Sequence, residues 1–281
     1  MTPPARPHIN VVVIADDAPA NAWLIREIER RHELQAVLRP DWNAVRSSDA
    51  RANRRDTPPL WMRITGAIRS RYFALKDRAD QSQLARLLLP DGPPSAPRTR
   101  IWTVPAWEIN SVAVQEQLAA LAPDLVVVSG APILKSNIFD MPRLGTLNLH
   151  FGIAPAYRGM HTIVTPWQRG DFSRIGATLH HITDRIDDGP VVFRVYPALD
   201  SRDDHISAEA KIVKLAAAEL SAMLTWIGER EASAPLPGLA VSGAGELIRF
   251  HDRKIRDHLQ ARLAGPRAPD QEERIERYYR D

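Results

Sequence analysis

No cysteine occurs in the 281 residues. Disulfides, a thiolate nucleophile and cysteine-ligated zinc are therefore excluded. Long apolar runs are missing too: nowhere do about 18 or more apolar residues follow one another, so no spanning helix is expected. The amino terminus, MTPPARPHIN, places three prolines and an arginine before a short apolar run. That is too little for the core and cleavage site of a signal peptide, and the expectation is a cytoplasmic protein without membrane contact. A strong excess of one charge is also absent. With 37 basic and 34 acidic side chains the formal charge is +3, which makes no case for nucleic acid as a partner.

What is present is the composition of a globular chain, 44% hydrophobic and 25% charged, long enough to bury a full core. Ile9 to Ala15 (INVVVIA) is a nearly continuous β-branched run, as expected for a strand covered on both faces of a parallel sheet. Leu24, Ile25 and Ile28 then recur at helical spacing. Leu34 to Leu38, Ile101 to Val104 and Asp124 to Ser129 read as further strands, with a helix from Ser111 to Leu121 started by Asn110 or Ser111. This alternation predicts an α/β fold, a Rossmann-like, mostly parallel sheet with flanking helices. Between about 40 and 99 the pattern changes. An arginine-bearing polar stretch leads to a helical segment from Leu60 to Leu89, and Pro90 to Pro97 closes it as a connector. Its arginines read first as a solvated face; with Trp42 or Trp61 they could also meet an anionic substrate group or single-stranded RNA. Ile206 to Arg230 has the spacing of a long closing helix. The expected division is a catalytic domain over 1–230, carrying that helical insertion, and a short carboxyl-terminal extension over 231–281 that ends in a charged tail.

The stretch TLNLHFGIAPAYRG, from Thr146 to Gly159, organises the rest. Asn148 and His150 lie two apart on a short strand, hence on one face of it, and Gly152 and Pro155 then break regular structure. Open α/β sheets bind ligands at such carboxyl ends. Some forty residues later TDRIDDGP, Thr183 to Pro190, forms an acidic turn between two strand-like runs, so an amide, an imidazole and a carboxylate could converge. His180, on the strand before that turn, reads equally as a core histidine; His181 faces the other way, and metal binding by His180, His181 and Asp184 does not fit the spacing.

NLH followed by a proline and YRG, and then GATLHHITDRIDDG, resembles the folate-dependent formyltransferases over roughly residues 8 to 200, most strongly from Leu125 to Val192. The resemblance implies an Asn-x-His pair and the first Asp of an Asp-x-Gly turn as the catalytic set: Asn148, His150 and Asp187. His180 matches a strand histidine near the family's site. The loop GAPILKSNIF implies folate contacts at Gly130, Pro132, Ile133 and Leu134, and the acidic turn adds Asp184 and Asp188. The implied cofactor is N10-formyltetrahydrofolate. The first loop, ADDAPAN, lacks the glycines with which some relatives cradle a phosphate at a helix N-terminus, and Asp16 or Asp17 could cap that helix instead.

Formyl transfer to an amine passes through an oxyanion, which suits Asn148 and His150 as donors. The ammonium must also lose a proton. His150 could take it or stay charged beside the oxyanion, and Asp187 should raise its pKa. The implied function is an enzyme formylating a small-molecule amine, best matched by a nucleotide-linked amino sugar, with a homodimer compatible. The alternatives are a methionyl-tRNA formyltransferase, disfavoured by the short carboxyl-terminal part; a formyltetrahydrofolate hydrolase, disfavoured because no small regulatory domain precedes the first strand; and a non-catalytic folate-binding protein.

Overall fold

Val11–Ala15 forms β1, and all five residues are buried. In the computed structural model, which describes residues 9–44, 60–92, 98–230, 235–241, 243, 245–249, 252–256, 258–259 and 266–280, β1 lies inside an eight-stranded sheet. The arginine-rich stretch from 45 to 59, the side chain of Trp61 and most of the 90–97 connector fall outside the described residues.

Helix α1 (Pro19–Glu29) begins with proline in its first turn and buries Leu24, Ile25 and Ile28, the expected positions. Strand β2 runs Leu34–Asp41, three residues beyond the expected end at Leu38. Pro40 is tolerated because β1 pairs with β2 only as far as Leu38, beyond which β3 (Ile101–Pro105) is the remaining neighbour. Between these strands the insertion is one helix, α2 (Leu60–Leu88). It packs through Phe73 and through Leu84 and Leu88, two of the residues that carry its helical period, whereas Ile68, Leu75 and Leu87 of the same period are exposed. Helix α3 (Val112–Leu121) is capped by Ser111, whose Oγ accepts from the Val114 N–H. Asn110 is engaged elsewhere.

Strands β4 (Leu125–Ser129) and β5 (Thr146–His150), separated by the one-turn α4 (Ser136–Phe139), complete a parallel block in the order β3, β2, β1, β4, β5. Three antiparallel strands extend it: β7 (Ala177–His181), β8 (Val191–Tyr196) and β10 (Arg274–Arg277). Between β5 and β7 lie β6 (Tyr157–Gly159) and α5 (Val164–Arg169). Helix α6 (His205–Arg230) follows β8, and β9 (Glu246–Ile248) pairs with β6 in a separate two-stranded sheet.

One core layer joins the sheet to α1 and α6, and a second joins it to α3 and α4. Leu84 and Leu88 of α2 seal a third cluster against Ala20 and the start of α6. The final segment is more than a charged tail. Ile275 pairs with Val195 on β8, and Tyr279 is fully buried. No described helix is long and apolar enough to cross a membrane.

Candidate active site

Strand β5 fixes Asn148 and His150. Its antiparallel neighbour β7 sets His180 directly opposite Asn148. The chain then turns through 182–190 and brings Asp187 back over the strand. This turn needs unusual backbone. Asp187 sits at φ +47, and a Cβ at Gly189 would lie 1.8 Å from the His181 carbonyl oxygen, so only glycine fits there.

The three groups meet. Asn148 Nδ2 donates to Asp187 Oδ1 at 3.1 Å, and His150 Nδ1 lies 3.4 Å from Asp187 Oδ2. His180 joins them, with Nε2 at 3.4 Å from Asp187 Oδ1 and 3.3 Å from Asn148 Nδ2. The Gly159 N–H donates to Asp187 Oδ2 at 2.7 Å. Both amide hydrogens of Asn148 therefore already have partners.

The second ring nitrogen of His150 settles its tautomer. Nε2 is 3.1 Å from the Tyr157 carbonyl oxygen, which can only accept, so the ring proton belongs on Nε2 and the Nδ1 lone pair faces Asp187. His180 is oriented likewise, its Nδ1 2.9 Å from the His181 carbonyl. His181 points away and meets the Leu236 carbonyl at 2.8 Å.

Burial controls the protonation. His150 is 7% exposed, and desolvation lowers its pKa below the ordinary histidine value; Asp187 and the Tyr157 carbonyl pull upward but by less, while His180 adds to the lowering. The expectation that a nearby carboxylate would raise this histidine's pKa is thus corrected: the carboxylate acts in that direction, and burial outweighs it. For Asp187, burial raises the pKa, but His150, His180 and the Gly159 N–H together bring it down to about 2. At neutral pH the pair is an ionised carboxylate beside a neutral imidazole.

The residues matched to folate contacts divide into two sets. Gly130 (φ +68) lets the loop after β4 pass the first loop, where an added Cβ would lie 2.8 Å from Asp16 Oδ2. Pro132 is half-buried, and Ile133 is 71% exposed beside the carboxyl end of β4. Leu134 instead is buried in the core cluster that also holds Val128 and Ile138. Asn110 braces this loop: it donates to the Ile133 carbonyl at 2.9 Å and accepts from the Lys135 N–H at 2.8 Å. In the acidic turn Asp184 is exposed, and Asp188 is ion-paired with Arg185 at 2.6 Å. Asp16 accepts from the Ala18 N–H and from Asn21 at 2.6 Å, bracing the turn ahead of α1, whose N-cap is Ala18.

Sequence reasoning missed the backbone groups of Tyr157 and Gly159 as holders of the site. The YRG motif was visible, but hydrogen bonds made by main-chain atoms leave no residue-type signature.

Residues 96–224 match the formyl transferase family. A methionyl-tRNA formyltransferase from Mycolicibacterium gilvum is 32% identical over 160 residues, covering 56% of this chain and 51% of that protein. The chain spans about half or less of the length of the methionyl-tRNA formyltransferases it matches. Among solved structures, a 4-N formyltransferase from Francisella tularensis superposes with a TM-score of 0.54 at 14% identity, covering 90% of this chain and 86% of that one. A sugar N-formyltransferase from Shewanella gives 0.50 at 14% identity over the same shares, 90% and 86%.

Proposed function

We propose that the chain transfers a formyl group from N10-formyltetrahydrofolate to the primary amine of a small molecule, a nucleotide-linked amino sugar in the first instance; the match of residues 96–224 to the formyl transferase family supports this reading. The observation that carries this reading is the single carboxylate of Asp187, which accepts from Asn148 and the Gly159 N–H and lies 3.4 Å from both His150 Nδ1 and His180 Nε2. The lining suits that cofactor: an exposed apolar Ile133 and a half-buried Pro132, on a loop braced by Asn110, can take a flat heteroaromatic ring. When bound, the cofactor supplies an activated formyl carbon. The small-molecule reading is supported by fold neighbours that include sugar N-formyltransferases and cover most of both chains.

The roles follow from the geometry. His150, held as the Nε2–H tautomer, accepts the acceptor amine's proton at Nδ1, 3.4 Å from the ionised Asp187. The imidazolium so formed is paired at both nitrogens, which offsets its burial. Asn148 turns one of its two N–H groups from His180 or Asp187 toward the formyl oxygen as negative charge develops there, an interaction worth roughly a hundredfold or more in rate.

Because His150 must be neutral to act, kcat/KM should hold at neutral pH and fall as pH drops through an apparent pKa below the ordinary 6.5. A pH–rate profile checks this, and a limb above 6.5 would instead mark an imidazolium as the working form.

The acceptor is tested by following tetrahydrofolate release with a panel of amino-sugar nucleotides, with charged tRNA and with buffer alone. Turnover only with an amino-sugar nucleotide is the expected result. Turnover only with tRNA would favour the second reading, a methionyl-tRNA formyltransferase, for which the sequence matches speak. Release in buffer alone marks a hydrolase, and binding without release marks a non-catalytic folate-binding protein.

A further inference from the structure

Two of the groups that orient the catalytic side chains are main-chain groups of β6: the Tyr157 carbonyl on His150 and the Gly159 N–H on Asp187. They can hold those side chains only as firmly as β6 itself is held. β6 has three residues and lies outside the main sheet, and among the described residues its one strand partner is β9, from the carboxyl-terminal part of the chain.

The pairing is close. The Glu246 N–H donates to the Ala156 carbonyl at 3.0 Å, and the Met160 N–H donates to the Ile248 carbonyl at 2.9 Å. Glycines permit the approach: a Cβ at Gly245 would lie 1.4 Å from the Pro155 carbonyl oxygen, and one at Gly159 (φ +86) 2.4 Å from that of Ile248. Arg158 extends the link to the acidic turn, donating to the Gly245 carbonyl at 3.1 Å and to the Ile186 carbonyl, next to Asp187, at 3.4 Å. Further along, the little-exposed Arg253 makes two 2.9 Å bonds to Asp77 of α2 and lies 3.4 Å from His161 Nε2. His161 is itself at φ +58, a strained position for a non-glycine residue directly after the YRG and Met160. The segment is thus tied at one end to β6 and at the other to the helical insertion.

We infer that residues 245–249, together with Arg253, act as a positioning strap for the reaction, tying β6 to α2 so that the Tyr157 carbonyl and the Gly159 amide keep His150 and Asp187 in working geometry. Among the described residues, no hydrogen bond or ion pair joins the strap to Asn148, His150 or Asp187, so its residues position and do not react. The inference rests on those three being the reacting groups.

Gly245→Ala forces β9 away from Pro155, and Arg253→Lys removes the two-pronged bond to Asp77 while keeping the charge. Each variant is measured for kcat, for cofactor KM, for hydrogen exchange of the Met160 amide and for the His150 imidazole titration by NMR. In Gly245→Ala, Met160 exchange should quicken about tenfold or more. kcat should fall about 10- to 100-fold, as a misplacement near 1 Å does, with KM within about threefold. The His150 titration should move up as water reaches the ring. Arg253→Lys should show the same pattern more weakly, and it decides the matter if Gly245→Ala does not fold. Faster Met160 exchange with kcat and the His150 titration unchanged would reduce the strap to a structural tie, and unaltered exchange in both variants would overturn the inference. If the unaltered protein formylates no acceptor, the proposed function fails separately, and the His150 titration still tests the strap.

Discussion

Replacing Asp187 with asparagine is expected to lower kcat by about a hundredfold to ten-thousandfold while leaving the fold intact. Asparagine is the informative choice because it tolerates the left-handed backbone at φ +47 nearly as well as aspartate, so the turn is not disturbed. It keeps one acceptor oxygen for the Gly159 N–H or for Asn148, but not for both. It also removes the negative charge that stabilises a proton arriving at His150 Nδ1. Stability supplies an independent check on the same group. The native pKa of about 2 lies below the ordinary aspartate value of 3.8, so ionised Asp187 contributes stability that is fully present above about pH 4 and is lost as pH falls toward 2. That contribution is on the order of 2 kcal/mol. The stability difference between the unaltered protein and Asp187→Asn should therefore change by about that amount between pH 5 and pH 2, measured by denaturant titration at each pH. Near-native turnover in the variant would remove Asp187 from the mechanism, whatever the stability curve shows.

The parts that were legible in the sequence share a physical cause. β1, β4 and α6 carry enough apolar residues at one period to announce themselves, and the structure puts them where that period requires. Asn148 and His150 could be paired because strand alternation is rigid, and Asp187 could be joined to them because three short motifs occurred together. Less was legible where the signal is carried by backbone or by single contacts. The β6/β9 sheet is held by glycines that permit close approach, and nothing in residue type foretold which carbonyl they would approach. On α2 the period was only half reliable: Leu84 and Leu88 pack inward as it requires, but Ile68 and Leu75 face outward and Phe73, outside the period, is buried. The direction of the His150 pKa shift depended on burial, which pairing rules alone do not give. β10 was hidden because RIER offers one apolar residue in a charged run.

That hidden strand yields the largest expected effect on stability. Glu219, on α6, is 2% exposed and accepts three hydrogen bonds: from Arg277 Nε at 2.7 Å, from Arg277 Nη2 at 2.6 Å and from the Tyr279 hydroxyl at 2.8 Å. Arg277→Ala leaves a buried carboxylate with one donor, and breaking such a pair typically costs about 3 kcal/mol or more; the partial exposure of the guanidinium argues for the lower end. For a chain of this length that is a fall in Tm of about 5 °C, readable by calorimetry. The double substitution Arg277→Met with Glu219→Leu should recover most of the loss, because the cost lies in the stranded charge and not in the missing contact. Arg274→Ala, on the same strand but with an exposed ion pair to Glu276, should change stability by less than about 1 kcal/mol. Arg277 lies on the far edge of the sheet from β5, which carries Asn148 and His150, with β8 and β7 between. Below its own melting temperature Arg277→Ala should consequently keep its kcat, the reverse of what is expected in the strap. An Arg277→Ala protein as stable as the unaltered one would mean that β10 does not fold with the sheet.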